Sequence, residues 1–349
     1  MRTLRPLERD VDPVQALRRI AWLLEIRRES TYRVEAFRKA ADAIAGLDER
    51  ELTDRAAAHT LTEVPSVGKT TAEVVAEALR GEVPEYLARL QGEPDPYPAQ
   101  GAAALIAGLR GDLHAHTYWS DGGASIDEMA TAAAAFGYEW MAITDHSPRL
   151  TVAHGLSAER LVEQIEEIDR RNARHGDVRL LRGIEVDILD DGALDHRDDV
   201  LARLDVVTAS VHSKLRMERD PMTARMLAAA TDPRVDVLGH CTGRRVVSGR
   251  GHRPPSVFDA EAVFRACADH GTAVEINSRP ERVDPPDELI ETARDLGCLF
   301  AIDSDAHAPG QLAFTRLGAE RAVALGIDAD RVVNTWPVDR LLAWTGADG

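Results

Sequence analysis

The sequence contains little of what a disulfide-linked, thiolate-zinc or membrane-spanning protein requires. Its three cysteines, Cys241, Cys267 and Cys298, are widely spaced and form no Cys-x-x-Cys pair, so neither a disulfide framework nor a thiolate zinc site is predicted. No apolar run approaches the roughly 18 residues of a membrane span, and Met1 to Pro6 lack the apolar segment of a signal peptide. We therefore expect a cytoplasmic protein without membrane association, in which any bound metal uses nitrogen and oxygen ligands.

Positive charge is also scarce, because 42 Lys and Arg residues stand against 59 Asp and Glu residues, a net charge of −17. Residues 1–98 contain 15 basic and 18 acidic residues, a net of −3, which leaves −14 for the remainder. An acidic body repels nucleic acid at long range unless bound divalent cations reverse the local sign. The N-terminal part is therefore the better candidate for contacting a polyanion, through Arg18, Arg19, Arg27, Arg28, Arg33, Arg38 and Lys39.

A chain of 349 residues exceeds one average domain, and we predict two. Residues 1–92 have apolar residues at helical spacing and are expected to form a small all-α domain. Residues 93–110 are rich in proline and glycine and are predicted to be a linker. Residues 111–349 form the second domain. A composition of 44% hydrophobic and 29% charged residues is typical of a globular protein.

The most informative stretch of the first part runs from Leu61 to Leu79, which predicts a helix end, a tight Pro/Gly turn and a new helix. Such a turn exposes backbone N–H groups at a helix N-terminus, where the helix dipole favours a phosphate group. Val67, Gly68 and Lys69 are therefore candidate DNA contacts. The alternative interpretation is a helical bundle in which this hairpin only packs against its neighbours.

From Arg110 onward, short β-type runs alternate with helical segments. Seven strands are predicted near residues 111–115, 139–144, 179–186, 204–211, 235–239, 272–277 and 298–303. Strands that alternate with helices favour a parallel sheet, and a closed barrel is the natural arrangement at this length.

Metal-ligating residue types stand at the ends of these strands. His114 and His116 are two residues apart, so in a strand both point to the same face, and Asp121 follows in the next loop. Because the carboxyl ends of barrel strands open on one face, donors distant in sequence converge there. The alternative, a buried polar cluster without a cation, costs several kcal/mol for each unpaired group. The sequence therefore predicts a metal site.

The motifs DLHAHTYWSDG, AITDHS, GIEVDI, SVHS, GHCTGR, EINSRP and DSDAH together resemble the PHP (polymerase and histidinol phosphatase) family, most closely the PHP domain of bacterial family X DNA polymerases. The resemblance covers residues 111–345 and implies an α/β fold, a distorted (β/α)7 barrel. Residues 1–92 resemble the helix-hairpin-helix domain of the same polymerases. No polymerase palm intervenes, and Val74 stands where lyases of that family carry a Schiff-base lysine. Neither DNA synthesis nor lyase activity is expected.

The resemblance also implies a set of site residues and two to three divalent metal ions. The expected metal ligands are His114, His116, Asp121, His146, Glu185, His212, His240, Asp305 and His307. Glu185 is expected to bridge two ions and Asp145 to orient an imidazole, and the expected catalytic residues are Glu185, Asp145, Lys214 and Arg244. The expected substrate-binding residues are Lys214, Arg244, Asn277 and Arg279. Mixed nitrogen and oxygen ligands suit Zn, Mn or Fe, and Asp121, where other members can carry histidine, is expected to favour Mn.

Such a cluster predicts phosphoester hydrolysis, because divalent ions polarise a phosphoryl group and activate water. The preferred hypothesis is DNA-end processing as in DNA repair, by a 3′-5′ exonuclease or 3′-phosphatase, since a phosphate-binding hairpin accompanies the metal site. A small-molecule phosphatase of the histidinol-phosphatase type is the alternative, which the acidic body favours. A third hypothesis is a DNA-binding scaffold with an inactive barrel. The partner is thus a DNA end or a phosphorylated small molecule, and the oligomeric state stays open.

Overall fold

The computed structural model describes residues 11–98, 101–247 and 251–347. The prediction that the chain has no signal peptide was based on Met1 to Pro6, and these residues lie outside the described ranges. The chain divides into two compact units, residues 3–96 and 97–349. None of the helices in the described ranges has both the length and the apolar character needed to cross a membrane.

The first unit is all-α and is built around one apolar core. Its helices are α1 (Pro13–Ile26), α2 (Thr31–Ala45), α3 (Glu49–Ala57), α4 (Lys69–Leu79) and α5 (Glu85–Gly92). α1 begins after Asp12, whose carboxylate accepts the N–H of Gln15 at 2.9 Å, a standard N-cap. Leu17, Ile20 and Phe37, which follow the predicted helical spacing, are all buried in this core.

The predicted hairpin between helices is present. A short 3₁₀ turn at Leu61–Glu63 leads through the proline and glycine of the turn to Gly68, the N-cap of α4. The N–H of Gly68 donates to Thr71 Oγ1 at 2.9 Å, while Val67 is buried. Val74 on α4 is also buried. The hairpin therefore packs its valines inward and presents the start of α4 outward.

The second unit contains seven parallel strands in sequential order, as predicted. They are β1 (Gly111–Asp112), β2 (Trp140–Ile143), β3 (Arg179–Asp187), β4 (Val206–Ser210), β5 (Val237–Leu238), β6 (Ala273–Asn277) and β7 (Phe300–Asp303). Each strand pairs in parallel with the next. The predicted α/β barrel is confirmed, although several strands are shorter than the sequence pattern indicates.

The first and last strands approach each other and nearly close the barrel. Ala115 and Ala306 form an isolated parallel bridge just beyond the ends of β1 and β7. Closer to the start of these strands Asn334 fills the gap, because its side chain donates to the carbonyl of Gly111 at 3.2 Å and accepts the N–H of Ile302 at 2.6 Å. A buried amide thus replaces part of a strand pairing.

The interior of the barrel is apolar at the amino ends of the strands. Side chains from successive strands, including Trp140, Leu181 and Val206, form a core with the C-terminal segment. Trp336 of that segment accepts the indole N–H of Trp140 through its carbonyl at 3.0 Å. Since this end of the barrel is filled and covered, the open end lies at the carboxyl ends of the strands.

Helices surround the sheet and bury a larger apolar core against it. They are α6 (Ala103–Gly108), α7 (Ile126–Phe136), α8 (Ala158–Arg174), α9 (Asp198–Leu201), α10 (Arg219–Ala230), α11 (Ala260–His270), α12 (Asp287–Asp295), α13 (Thr315–Ala324) and α14 (Val338–Thr345). α6 lies within residues 93–110, which were predicted to be a linker. That prediction is wrong for α6, because Leu105 and Leu109 are buried in the barrel core.

Candidate metal centre

Nine side chains collect at the open end of the barrel, on strands or in the loops that directly follow them. They are the nine predicted ligands: His114, His116 and Asp121 after β1, His146 after β2, Glu185 on β3, His212 after β4, His240 after β5, and Asp305 and His307 after β7. Four overlapping groups of three or four of these residues have potential ligand atoms within 4.8 Å of one another. The structure therefore brings all nine side chains into one cluster.

Glu185 lies at the centre of this cluster, and its two oxygens face different imidazoles. Oε1 lies 3.1 Å from Nε2 of His212 and 2.8 Å from Nε2 of His240. Oε2 lies 3.3 Å from Nε2 of His114 and 2.8 Å from Nδ1 of His146. Glu185 is accordingly the carboxylate shared between two of the four ligand groups.

Two aspartates extend the cluster around His116 and His307. Asp121 Oδ1 lies 3.4 Å from Nε2 of His307, and Asp305 Oδ1 lies 3.4 Å from Nε2 of His116. The loop that carries Asp121 returns closely, because a Cβ at Gly122 would lie 2.7 Å from the backbone of His116. A glycine at this position is therefore needed to bring Asp121 back to the strand ends.

Many atoms of the cluster are buried and make no hydrogen bond in the structure. They are Nε2 of His114, both ring nitrogens of His116, Nδ1 of His146, both carboxylate oxygens of Glu185, Nε2 of His212 and both ring nitrogens of His240. Buried polar atoms without partners are rare in native proteins and call for a specific cause. Converging imidazole and carboxylate donors fit a group of divalent transition-metal ions, which bind such ligands.

The environment of the cluster favours the ligand forms of Glu185 and His116. Burial alone would raise the pKa of Glu185. The nearby imidazoles of His212, His114 and His146 together have a larger, opposite effect, so the pKa lies well below its usual value. Burial lowers the pKa of His116 to about 3, and nearby imidazoles contribute in the same direction. Near neutral pH, Glu185 is therefore ionised and His116 is neutral, as metal binding requires.

Two further carboxylates hold imidazoles of the cluster in place. Nδ1 of His114 donates to Oε1 of Glu275 at 2.6 Å, and Nδ1 of His212 donates to Asp187. These bonds orient both rings so that Nε2 faces Glu185, the arrangement by which carboxylates support ligating histidines. Neither Glu275 nor Asp187 was predicted from the sequence to have this role. The available signal was an acidic residue at the end of a buried strand.

Two family models match the chain in agreement with this geometry. The model described as PHP domain matches residues 112–279, which include most of the clustered donors. The chain contains a PHP domain. The model described as helix-hairpin-helix domain matches residues 11–83, so the first unit is a helix-hairpin-helix domain.

The chain is also similar to several curated proteins. It is 44% identical over 199 residues to the DNA polymerase/3′-5′ exonuclease PolX of Bacillus subtilis (strain 168), covering 57% of this chain and 34% of the polymerase. The chain thus spans about a third of that relative's length. It is 29% identical over 239 residues to a probable phosphatase of Thermoanaerobacter sp. (strain X514), covering 64% of this chain and 89% of the relative.

Among solved structures, the histidinol phosphate phosphatase of Lactococcus lactis subsp. lactis Il1403, complexed with zinc, L-histidinol and phosphate, matches with a TM-score of 0.43. The sequence identity is 15%, and the match covers 63% of this chain and 95% of that chain. A likeness of this strength supports no conclusion about metal or substrate.

Within the PHP domain, Asp145 has a role different from the predicted one. Its carboxylate accepts the N–H of Thr117 at 2.8 Å, the hydroxyl of Thr117 at 2.6 Å, the N–H of Ser120 at 3.1 Å and the amide of Gln164 at 2.6 Å. The expectation that Asp145 orients an imidazole is therefore wrong. Asp145 instead fixes the loop after β1, which carries Asp121.

Lys214 and Arg244, the predicted catalytic cations, are engaged in the loops around the open end. Lys214 is exposed, and its Nζ lies 2.5 Å from Oδ2 of Asp190. The guanidinium of Arg244 donates to the carbonyl of Val283, with Nε at 2.7 Å. These contacts link neighbouring loops, and the participation of Lys214 and Arg244 in catalysis or substrate binding stays a prediction.

The loop after β6 brings other polar groups to Asp305. Asn277 Nδ2 donates to Oδ2 of Asp305 at 3.1 Å, and Arg279 donates to the carbonyl of Asp305 at 2.7 Å. Nε of Arg282 lies 3.0 Å from Oδ2 of Asp305, while its Nη1 is buried and makes no hydrogen bond. Asn277 and Arg279 were predicted from the sequence, but Arg282 was not, although the RPER run after β6 contains both arginines.

In the helix-hairpin-helix domain, the three predicted DNA contacts differ in exposure. Gly68 and Lys69 are exposed at the start of α4, whereas Val67 is buried. Val67 therefore supports the hairpin from inside, and only its backbone is a candidate for contact. DNA binding by Gly68 and Lys69 stays a prediction.

Most basic residues predicted to contact a polyanion through this domain are paired with acids. The pairs are Arg18 with Asp42 at 3.4 Å, Arg27 with Glu93 at 2.9 Å, Arg33 with Glu29 at 2.8 Å, Arg38 with Glu25 at 2.7 Å and Lys39 with Glu35 at 2.7 Å. The charge of these five residues is balanced locally, which weakens the basic surface that the sequence predicts for this domain.

Proposed function

We propose that this protein is a metal-dependent phosphoesterase that hydrolyses phosphoester bonds at DNA ends, as a 3′-5′ exonuclease or a 3′-phosphatase. The observation that carries this proposal is the cluster of nine donors around Glu185 in a PHP domain. The helix-hairpin-helix domain and the 44% identity to a polymerase named as a 3′-5′ exonuclease support DNA as the substrate.

In this proposal, the nine clustered residues would hold two to three divalent ions of zinc, manganese or iron, and Glu185, which belongs to two of the ligand groups, would be shared between two of them. Such ions polarise a phosphoryl group and make water a better nucleophile near neutral pH. Glu275 and Asp187 keep the rings of His114 and His212 in their ligating orientation. The support is the set of buried, unbonded ring nitrogens and oxygens that face one another.

The residues of the chain also position the phosphate. Arg282 is held against Asp305 at the edge of the cluster and has a buried Nη1 without a hydrogen bond, so it is suited to bind a phosphoryl oxygen. Lys214, Arg244 and Arg279 are proposed to bind further oxygens of the substrate. Gly68 and Lys69 are proposed to bind the DNA backbone at the start of α4.

A small-molecule phosphatase is the second candidate function. It is favoured by several relatives named as probable phosphatases, of which the chain covers 86% to 90%, a far larger share than the 34% for the polymerase. The loop after β3, with Asp190, Asp191 and Asp195 against Arg197, is also less suited to a long polyanion.

The two functions are separated by assaying the Mn²⁺ and Zn²⁺ forms on labelled DNA ends and on histidinol phosphate. Release of nucleotides from 3′ ends indicates an exonuclease, and release of inorganic phosphate from 3′-phosphorylated ends indicates a phosphatase. Glu185→Gln is the control and is expected to abolish every genuine activity. Rapid turnover of histidinol phosphate with intact DNA ends would overturn the first proposal in favour of the second.

A further inference from the structure

The loops after β4, β5 and β6 are joined into one surface at the open end of the barrel. Ser256 Oγ donates to the carbonyl of Leu215 at 2.8 Å, which connects the β5 loop to the β4 loop. The N–H of Val246 donates to the carbonyl of Glu281 at 2.8 Å, which connects it to the β6 loop. We call the described residues 213–219, 242–247, 251–256 and 278–284 the arginine platform.

Hydrogen bonds hold the loops of the platform in a fixed arrangement. Arg245 and Arg253 form an antiparallel bridge, with N to O distances of 2.9 and 3.0 Å between their backbones. Asp284, which is fully buried, accepts the hydroxyl of Thr242 at 2.7 Å and the N–H of Arg244 at 2.9 Å. The loop after β5 is thus held at both of its ends.

The platform is basic although the protein is acidic overall. Its cations are Lys214, Arg216, Arg219, Arg244, Arg245, Arg253, Arg279 and Arg282, and its acids are Glu218, Glu281 and Asp284. The loops after β1, β2 and β3 have the opposite balance, with Asp121, Asp145, Asp190, Asp191 and Asp195 against Arg149 and Arg197. In a chain of net charge −17, the concentration of arginine on one side of the open end is a specific feature.

The platform arginines extend from the metal centre to the protein surface. Arg282 contacts Asp305 in the cluster. The backbone bridge places Arg253 beside Arg245. Burial lowers the pKa of Arg253, and the charges of Arg282 and Arg245 act in the same direction. Arg245 and Arg216 are exposed, and neither has an acidic ion-pair partner among the residues that the structure describes.

Cations grouped on one surface attract an anion that carries several charges. A single phosphate ester would require the metal centre and one adjacent cation, and it would not reach the outer arginines. A nucleic acid strand carries one phosphate per nucleotide and binds through such successive contacts. The arrangement therefore matches a strand that leads away from the metal centre.

We propose that the arginine platform binds backbone phosphates of the DNA strand next to the scissile bond, with Arg282 nearest to the metal centre and the exposed Arg216 and Arg245 farther out. This inference rests on the proposed hydrolysis of DNA ends and specifies how the substrate is held. The preferred substrate is then an oligonucleotide end rather than a single nucleotide.

The test compares the wild type with a double variant that carries Arg216→Gln and Arg245→Gln. The two substrates are a long single-stranded oligonucleotide and a nitrophenyl ester of one nucleotide. The loss of kcat/KM on the oligonucleotide is expected to exceed the loss on the ester by about tenfold. Arg203→Gln is the matched control, because Arg203 is exposed and precedes β4 at the opposite end of the barrel. Equal losses on both substrates, or no loss, would overturn the proposal.

Salt dependence and binding provide a readout that does not require turnover. The affinity for an oligonucleotide with phosphorothioate linkages, measured by fluorescence anisotropy, should fall less steeply with salt in the variant, by about 0.7 in the log-log slope for each phosphate that the variant no longer neutralises. If the wild type hydrolyses no DNA end, the proposed function fails. The binding measurement then tests by itself whether the platform binds a DNA strand. Weakened binding with a reduced slope then supports it, and unchanged binding overturns it.

Discussion

Glu275 shows how a residue outside the ligand set can control the cluster. It is fully buried, and its Oε1 accepts Nδ1–H of His114 at 2.6 Å, while its other oxygen accepts the N–H of His240. One carboxylate thus links two of the strand ends that supply ligands. Because a ring that rotates loses its ligand geometry, we expect Glu275 to be a positioning residue for the metal centre.

Glu275→Gln is expected to lower metal affinity about 10- to 100-fold, because a neutral amide supports the imidazole less strongly than a carboxylate. The measurement is metal binding in competition with a chromophoric chelator, together with kcat at saturating metal. Excess metal should restore most of the activity if the role is to position His114. Glu288→Gln, at an exposed residue of α12, is the control, and equal affinity in the two variants would contradict the role.

The same imidazoles predict that metal binding releases protons. Burial lowers the pKa of His114, but Glu185, Glu275 and Asp305 outweigh it and raise the pKa well above the usual value. Burial also lowers the pKa of His212, but Glu185 and Asp187 together have the larger effect and raise this pKa to about 9. These raised pKa values predict that both rings are protonated near pH 7 without metal and lose those protons when they bind it.

Metal binding near pH 7 is therefore expected to release about two protons, and the apparent affinity should rise as the pH increases towards about 9. Titration calorimetry in two buffers with different ionisation enthalpies measures the number of protons directly. A binding heat that does not depend on the buffer would show that His114 and His212 are already neutral in the metal-free protein.

At the residue scale, the sequence predicts the clustered donors better than the residues that support them. The nine donors were predicted from the resemblance to the PHP motifs, and each stands in or after a strand, where a barrel gathers side chains. The pair of His114 and Glu275 joins residues 161 positions apart, and no spacing in the sequence reports such a contact. Arg282 was missed for the same reason, since its bond to Asp305 depends on how two loops meet.

At the scale of elements, the loop after β1 depends on a residue of the next strand end. Asp145 follows β2 and is buried, and it accepts hydrogen bonds from Thr117, Ser120 and Gln164. The sequence motif indicated that Asp145 belongs to the site but not whether it serves a ring or a loop. Both roles require an acid at a strand end, and only the folded loop distinguishes them.

Asp145→Asn is expected to destabilise the protein by about 1–3 kcal/mol. Both carboxylate oxygens of Asp145 accept hydrogen bonds, and the NH₂ group of asparagine would face a buried donor in place of one of these oxygens. The metal affinity should fall as well, since the loop carries Asp121. Urea unfolding and metal titration measure the two effects. Asp220→Asn, at an exposed residue of α10, is the control, and stability equal to that of this control would contradict the role.

The elements themselves follow closely from sequence patterns. All seven strands are found where alternating β and helical runs place them, because burial on both faces requires continuous apolar segments. Helix α6 was not predicted, since its small residues and the surrounding prolines resemble a linker. Leu105 in this helix and Leu109 directly after it are buried in the barrel core, a tertiary effect that local composition does not contain.

At the scale of the whole molecule, the two units have separate apolar cores, and all nine clustered donors belong to the second. The net charge suggested that the first unit is the part suited to a polyanion. The structure adds a second candidate, because arginines gather beside the cluster of the second unit, and two of them, Arg216 and Arg245, are exposed and have no acidic ion-pair partner among the residues that the structure describes. Charge counts by segment cannot show which side chains share a surface.

Separate cores also predict separate responses to metal removal. Ions that bind only the folded barrel stabilise it by about 4 kcal/mol when their concentration is a thousand times Kd, and a domain of this size gains about 2–4 °C per kcal/mol. In calorimetry, EDTA should therefore lower the barrel transition by about 10 °C and leave the transition of the helix-hairpin-helix domain in place. His114→Ala should remove this sensitivity to EDTA. An equal shift of both transitions would show that the two units unfold together, and no shift would show that the cluster holds no ion.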